Sequence, residues 1–249
     1  MYYCDAGGVV GLLAGGTEDK KTEAINLKNT GNVYGKGPMV GGIVGCTNDY
    51  NKIENCENRG NVIGESDQVS GISGAFNRYS SMNNCRNYGN VEGKGYETGG
   101  ICGTFNYKSV LSKCRNSGTI TGKEKTGGII GVHATKQNIT DTTIEECYND
   151  GNVYGTTNVG GIIGKYGGKQ GTVTKCYNKG IITGTSEVGE IIGAPGDITW
   201  ENTFSKLFYL ANSGGLTALG WKADDTENKI QSTDQDLTYE QFTTWIEAQ

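Results

Sequence analysis

Proline is nearly missing from this chain, with two residues in 249. A collagen-type fibre needs abundant proline and a Gly-X-Y period, so that class is excluded. Histidine occurs once, as His133, and no Cys-x-x-Cys occurs at all. A zinc site or a histidine-based nucleophilic triad therefore finds no set of residues to form from, and we expect no catalytic residue, metal or cofactor. No apolar run approaches the ~20 residues of a membrane-spanning helix. Met1-Tyr2-Tyr3-Cys4 is not a secretion signal, so the chain is expected to be a segment of a larger multidomain parent. Basic residues are not in excess either. Lys plus Arg number 22 against 27 Asp plus Glu, a net charge of −5 mixed along the chain, and no footprint for nucleic acid results.

What the chain has is glycine, 42 residues of 249, or about 17 % against a usual ~7 %. Gly plus Pro together stay below the ~25–30 % of disordered low-complexity tracts, so glycine must serve a folded geometry. Its distribution is periodic. Cys56, Cys85, Cys114, Cys147 and Cys176 are separated by 29, 29, 33 and 29 residues, and Leu27 precedes Cys56 by 29. Around these positions one phrase recurs: LKNTGNVYG, CENRGNVIG, CRNYGNVEG, CRNSGTITG, CYNDGNVYG and CYNKGIITG. A second follows in each unit: VGGIVG, VSGISG, TGGICG, TGGIIG, VGGIIG and VGEIIG, with AGGVVG from Ala6 as a seventh copy. The four extra residues of one unit fall in 133–143 and read as a longer loop.

The first phrase alternates with period two, its fixed positions being Cys, Asn, Gly, Val or Ile, and Gly. That is the pattern of a strand with one buried face. The second phrase supplies another strand around Ile43, Ile72, Ile101, Ile129, Ile162 and Ile191, and Ile53, Met82, Leu111, Ile144 and Val173 supply a third apolar position. Three short strands per unit predict an all-β fold: a right-handed parallel β-helix, or β-solenoid, of about six ~29-residue coils over 1–196. Stacking would align Asn29, Asn58, Asn87, Asn116, Asn149 and Asn178 as an inward ladder, and Cys56, Cys85, Cys114, Cys147 and Cys176 as a column of free thiols. Glycine is expected to mark corners and tight interior packing.

Together the V-G-G-I-I-G and C-x-N-x-G-x-V-x-G phrases resemble the GLUG-motif repeats of bacterial secreted and surface proteins. The resemblance spans about 1–196 and implies an extracellular, adhesin-like segment at a bacterial cell surface. Such repeats also accompany IgA-cleaving zinc peptidases, whose HExxH motif is absent here. Val69-Ser70-Gly71 and Val188-Gly189-Glu190 depart from the double glycine.

Residues 197–249 leave the pattern and hold all three tryptophans, Trp200, Trp221 and Trp245, beside Phe204, Leu207, Phe208 and Leu210. Thr238-Tyr239-Glu240-Gln241 reads as a capping box opening a short helix near 238–247 with Phe242, Trp245 and Ile246 on one face. An open solenoid end needs a cover, so this region is expected to be a C-terminal cap, with an aromatic ligand-binding unit as the other reading.

For function, the outward positions matter most. Tyr34, Tyr88, Tyr148, Tyr154 and Tyr177 fall on variable, outward positions, where exposed rings could stack on a glycan or anchor a host matrix protein, although tyrosine is also an ordinary strand residue. Lys28, Glu57 and Arg86 would stack in alternating charge. His133 is expected in a loop. A carbohydrate-active enzyme is the alternative, resting on Asp141, Glu145, Glu146 and Asp150, although Glu145 and Glu146 would face opposite ways in an extended strand. Asp224, Asp225, Asp234 and Asp236 lack calcium-loop spacing. Thr121 and Thr183 are too isolated for an ice-binding array, and Asn138-Ile139-Thr140 is a bare sequon.

Overall fold

A computed structural model describes residues 6–133, 140–167, 170–195, 203–210, 216–220 and 230–248. The chain winds as a β-solenoid whose strands stack in parallel, in register, from coil to coil. Each coil carries five short strands rather than the three expected. In one coil these are Val40–Gly41, Val44–Thr47, Asn51–Glu54, Glu57–Asn58 and Val62–Gly64. Equivalents of the first, second and fifth form sheets of seven, seven and six strands, called here the first, second and fourth sheets. Equivalents of the third and fourth share a 13-stranded third sheet.

Glycine sits in the bends that split the two phrases, as at Gly42 and Gly60, whereas three further corners are held by other residues. Asn26, Asn55, Asn84, Lys113, Glu146, Lys175 and Lys206 take one corner position with φ between 50° and 57°. A second corner places Met39, Gln68, Lys125, Asn158 and Glu187 in the same left-handed region, and a third uses Tyr50, Tyr79, Lys108 and Asp141. Among the described glycines only Gly15 has positive φ. The left-handed region disfavours side chains other than Asn and Asp, so the stacking on either side must hold these residues there.

Glycine also serves close approach. A Cβ on Gly60 would lie 1.9 Å from the Gly31 carbonyl oxygen of the preceding coil, and Gly89 meets Gly60 in the same way. A Cβ on Gly42 would lie 2.5 Å from Cγ of Asn58, a ladder side chain, and 2.1 Å from the Gly71 oxygen. The double glycine and the asparagine are thus one packing unit.

The ladder itself is continuous. Each Nδ2 donates to the Oδ1 of the next coil's asparagine at 2.8 Å, from Asn29 through Asn58, Asn87, Asn116 and Asn149 to Asn178. The second Nδ2 proton goes to the carbonyl of the glycine two residues on, at 2.7–3.2 Å. Beside it, the five column cysteines are free and buried, each thiol donating to the carbonyl two residues before it at 3.3–3.4 Å. Burial pushes the thiols of Cys85, Cys114 and Cys176 above their ordinary range, which makes them inert packing groups. Cys46, outside this column, is disulfide-bonded.

Parallel stacking also passes the expected limit at residue 196. Thr203–Leu210 pairs along Gln170–Asn178, placing Phe204 beside Val173, Leu207 beside Cys176 and Tyr209 beside Asn178. Ile230–Thr233 continues that edge, and Leu219 bridges to Ile192. A degenerate seventh coil therefore closes the stack. Its lack of a ladder asparagine explains the VGE departure: with Tyr209 in the asparagine's place, no carboxamide needs the glycine gap. Buried Glu190 fills it and accepts the Nδ2–H of Asn178 at 3.4 Å.

The helix Tyr239–Glu247 has its capping box, with the Gln241 amide donating to the Thr238 hydroxyl and the Thr238 amide to the Gln241 side chain. It does not cover the end of the solenoid. Tyr239, Phe242 and Ile246 pack sideways on the outer surface of the third sheet, against Tyr148, Tyr177 and Phe208. Trp200 and Trp221 lie outside the described residues.

Two outcomes check this interior. Asn87→Ala should cost about 1–3 kcal/mol in denaturant unfolding, the cost of a broken buried hydrogen-bond chain, while its outward neighbour Arg86→Ala should stay within about 0.5 kcal/mol. Equal losses would reverse the inside and outside faces. Thiol titration of the unfolded, unreduced chain should label Cys56, Cys85, Cys114, Cys147 and Cys176, and failure to do so would overturn the free column.

Candidate ligand-binding face

The outer surface of the fourth sheet carries a row of mostly exposed strand positions. Its outward row, in register, is Tyr34, Ile63, Glu92, Thr121, Tyr154 and Thr183. Tyr34 is 55 % exposed and Tyr154 38 %, and four strand spacings, about 19 Å, separate them. Two further rows flank this one. On one side the Oδ1 atoms of Asn32, Asn61, Asn90 and Asn152 each accept the backbone N–H of the following coil at 3.0–3.1 Å. On the other, Lys94 pairs with Glu65 at 2.7 Å and holds that carboxyl below its usual range, while the Tyr34 hydroxyl donates to the same carboxylate at 3.3 Å. The face is thus a register-aligned, hydrogen-bonded surface with two aromatic rings and mixed charge.

The five candidate tyrosines do not form one site. Tyr34 and Tyr154 share this face. Tyr88 is half-buried at the turn between the third and fourth sheets, under the Arg59 guanidinium at 4.9 Å from its ring centroid. Tyr148 and Tyr177 were expected outside and are fully buried. They do occupy outward strand positions, but the C-terminal helix covers them. The Tyr177 hydroxyl donates to the Gln235 carbonyl at 2.7 Å, and that of Tyr148 to the Leu237 carbonyl.

A second aromatic row lies at the turn between the second and third sheets. Tyr50 stacks on Tyr79 at 4.7 Å, and Tyr107 meets Tyr79 edge-on at 5.4 Å. Their spacing of 29 and 28 residues was the available signal. Sequence reading overlooked it because the three lie outside both recurring phrases.

The acidic group is dispersed. Asp150 pairs with Arg115 at 2.7 Å, Glu146 with Lys175 at 3.3 Å and Lys113 at 3.7 Å, and Asp141 with Lys108 at 3.8 Å. Glu145 ends the strand Thr140–Glu145, whereas Glu146 occupies the left-handed corner beyond it. Asp236 pairs with Lys179, and Asp224 and Asp225 lie outside the described residues. Thr121 and Thr183 flank Tyr154 in the outer row of the fourth sheet. Of the sequon, Asn138 and Ile139 lie outside the described residues. Among the described residues, no group of three or more His, Cys, Asp or Glu side chains could hold a metal, and no helix is long and apolar enough to cross a membrane.

His133 is not a loop residue. It ends the strand Ile130–His133 and is fully buried in an interior aromatic column that runs Phe76, Phe105, His133, Tyr166. Its ring lies 4.3 Å from that of Tyr166, and Nε2 is 2.6 Å from the Thr142 hydroxyl, while Nδ1 has no hydrogen-bond partner among the described residues. Burial without a counter-charge lowers its pKa to about 3.

These features define a β-solenoid with its polar chemistry drawn inward as ladders. No protein-family model matches the chain, and no curated protein matches it. Among solved structures, it is similar to the crystal structure of a protein named "putative immunoglobulin A1 protease" from Bacteroides ovatus. The TM-score is 0.54 at 15 % identity, covering 92 % of this chain and 89 % of that one. At that identity the likeness shows the fold.

The histidine yields a pH prediction. In the fold it stays neutral down to about pH 3, whereas in the unfolded chain it binds a proton below about 6.5. Its contribution to stability is therefore complete above pH 6.5 and lost progressively as pH falls towards 3. Between pH 6.5 and 5, before most carboxylates titrate, stability should decline in the native sequence and stay level in His133→Phe. Parallel curves from denaturant unfolding would refute the neutral, buried assignment.

Proposed function

We propose that this chain is a non-enzymatic, extracellular repeat segment of a bacterial cell-surface protein, which presents the outer face of its fourth sheet to a glycan or a host matrix protein. The observation that carries the reading is the division of labour in each coil. The fixed positions are consumed by stacking, while the variable ones form a register-aligned face bearing the exposed Tyr34 and Tyr154. A rigid, register-locked face positions rings without ordering cost on binding, which favours recognition of an extended partner. The disulfide at Cys46 suits an oxidising compartment. The likeness of the repeat phrases to GLUG motifs supports the same placement.

The carbohydrate-active alternative asks for two carboxylates held across a bond to be cleaved. Asp141, Glu146 and Asp150 each stand against a cation of their own instead, so the observations favour the binding reading.

Glycan and matrix-protein arrays test it. Binding should appear to at least one extended glycan or matrix protein, and Tyr34→Ala and Tyr154→Ala should each weaken it about two- to tenfold, the worth of one aromatic contact. Their thermal unfolding should be unchanged, since both rings are exposed. Silence across the arrays would leave a rigid spacer in place of a binding module. Oligosaccharide cleavage lost in Glu145→Gln or Glu146→Gln would restore the enzyme.

A further inference from the structure

We propose that the outer face of the fourth sheet binds an acidic, extended polysaccharide lying along the solenoid axis, with one uronate-type sugar unit per coil. This rests on the reading of that face as a ligand-binding surface and names its ligand class.

Hydrogen-bond donors set the first requirement. Asn32, Asn61 and Asn90 are exposed at one position of three successive coils. Each uses its Oδ1 to accept the backbone N–H of the following coil at 3.0–3.1 Å. That bond fixes the carboxamide and leaves its Nδ2–H groups without a partner among the described residues. The result is a row of donors whose own acceptors are already consumed, repeating at the ~4.8 Å coil spacing. Asn152, two coils beyond Asn90, differs: its Nδ2 donates to the Tyr154 hydroxyl at 3.5 Å. The Tyr34 hydroxyl is held in turn by Glu65. Both rings are therefore tethered through their hydroxyls, one at each end of the row.

Charge favours an acidic ligand. Lys36, Lys94 and Lys123 stand along the other flank of the tyrosine row, against Glu65 and Glu92. Lys94 and the Tyr34 hydroxyl already occupy Glu65. Lys123 has no ion pair among the described residues, and its ammonium lies 5.4 Å from the Tyr96 ring centroid. Three lysines against two glutamates leave these rows positive on a chain whose net charge is −5.

Spacing favours a sugar chain. A pyranose polymer linked through equatorial bonds advances about one ring length per unit, close to the coil spacing, and its successive units turn opposite edges outward. Its carboxylates then alternate between the asparagine flank and the lysine flank, each of which offers N–H donors, while its rings pass over the tyrosines. A peptide strand laid along the same axis repeats on one face every ~6.6 Å, twice the rise per residue, and falls out of step with the donors.

The test is isothermal titration calorimetry of the full chain with oligosaccharides of defined length. β-1,4-Linked oligomannuronate is the acidic, extended probe, α-1,4-linked oligoguluronate the equally charged but buckled one, and cello-oligosaccharides the extended, neutral one. Oligomannuronate should bind at least about tenfold more tightly than either control. Its affinity should rise with length up to five units, the number of coils from Tyr34 to Tyr154. Asn61→Asp keeps an oxygen for the Asn90 amide but replaces the outward donor with a negative charge. It should weaken binding about tenfold, the worth of one charge-assisted hydrogen bond, with Tm unchanged. Lys123→Gln should weaken binding less and reduce its salt dependence. Equal affinity for cello-oligosaccharides would overturn the acidic ligand, equal affinity for oligoguluronate the coil-matched spacing, and indifference to Asn61→Asp the donor row. Silence from all three probes, with Tyr34-dependent binding to a matrix protein on the arrays, would overturn the polysaccharide and leave the binding face standing. Silence in both experiments would remove the face itself.

Discussion

Backbone contact between successive coils is the constraint on which the rest depends. Strands of neighbouring coils stand about 4.8 Å apart, and at several positions the space between them is too small for a single methyl group. A Cβ on Gly60 would fall 1.9 Å from a carbonyl oxygen, and one on Gly42 would displace Asn58. Glycine therefore admits the asparagine, and the asparagine bonds the turn backbone that glycine leaves bare. Either one without the other would leave a clash or an unsatisfied buried amide, and the latter costs about 1–3 kcal/mol.

Because one set of side chains satisfies the interior, the outer surface is free to vary by column. On the third sheet a single outward column reads Lys28, Glu57, Arg86, Arg115, Tyr148, Tyr177 and Phe208. It changes from charged to aromatic midway. The charged half is solvated and paired, with Lys28 and Glu57 3.1 Å apart. The aromatic half would expose a contiguous apolar strip, which soluble proteins cover. The C-terminal helix supplies the cover through Tyr239, Phe242 and Ile246. On the fourth sheet the outward column has no such cover, and its tyrosines remain exposed.

The split between covered and uncovered tyrosines shows what was legible in the sequence. Repeat spacing sets the coil, the ladder, the thiol column and which residues point outward, since all of these follow from period two within a strand and period 29 between coils. Burial of Tyr148 and Tyr177 does not follow, because the element that covers them lies some 60 to 90 residues further on and carries no repeat signal. His133 was misread for a related reason. It directly precedes the insertion that interrupts the 29-residue period, and only alignment of the second phrase, placing it after Phe76 and Phe105 and before Tyr166, reveals an aromatic column. Glycine does mark the bends within the phrases, as at Gly42 and Gly60, but it is also the usual left-handed residue, and at the three left-handed corners Asn, Lys, Glu and Tyr hold those angles.

That last substitution is itself informative about where strain can reside. Non-glycine residues at positive φ cost roughly 1 kcal/mol or more each, and an isolated turn would relax to avoid it. In a solenoid each corner is held by the coils above and below through backbone bonds, as when the Asn55 amide donates to the Asn83 carbonyl at 3.1 Å and the Asn84 amide to the Ser112 carbonyl at 3.1 Å. Side chains at the corners then project outward at regular spacing. The stacked pair Tyr50 and Tyr79, which Tyr107 meets from beside the next corner, and the ion pairs of Glu146 with Lys113 and Lys175 both arise this way. Coil stacking thus fixes the ordered exterior as firmly as the interior, since an outward side chain at a corner has its neighbours chosen by the same register that aligns the asparagines.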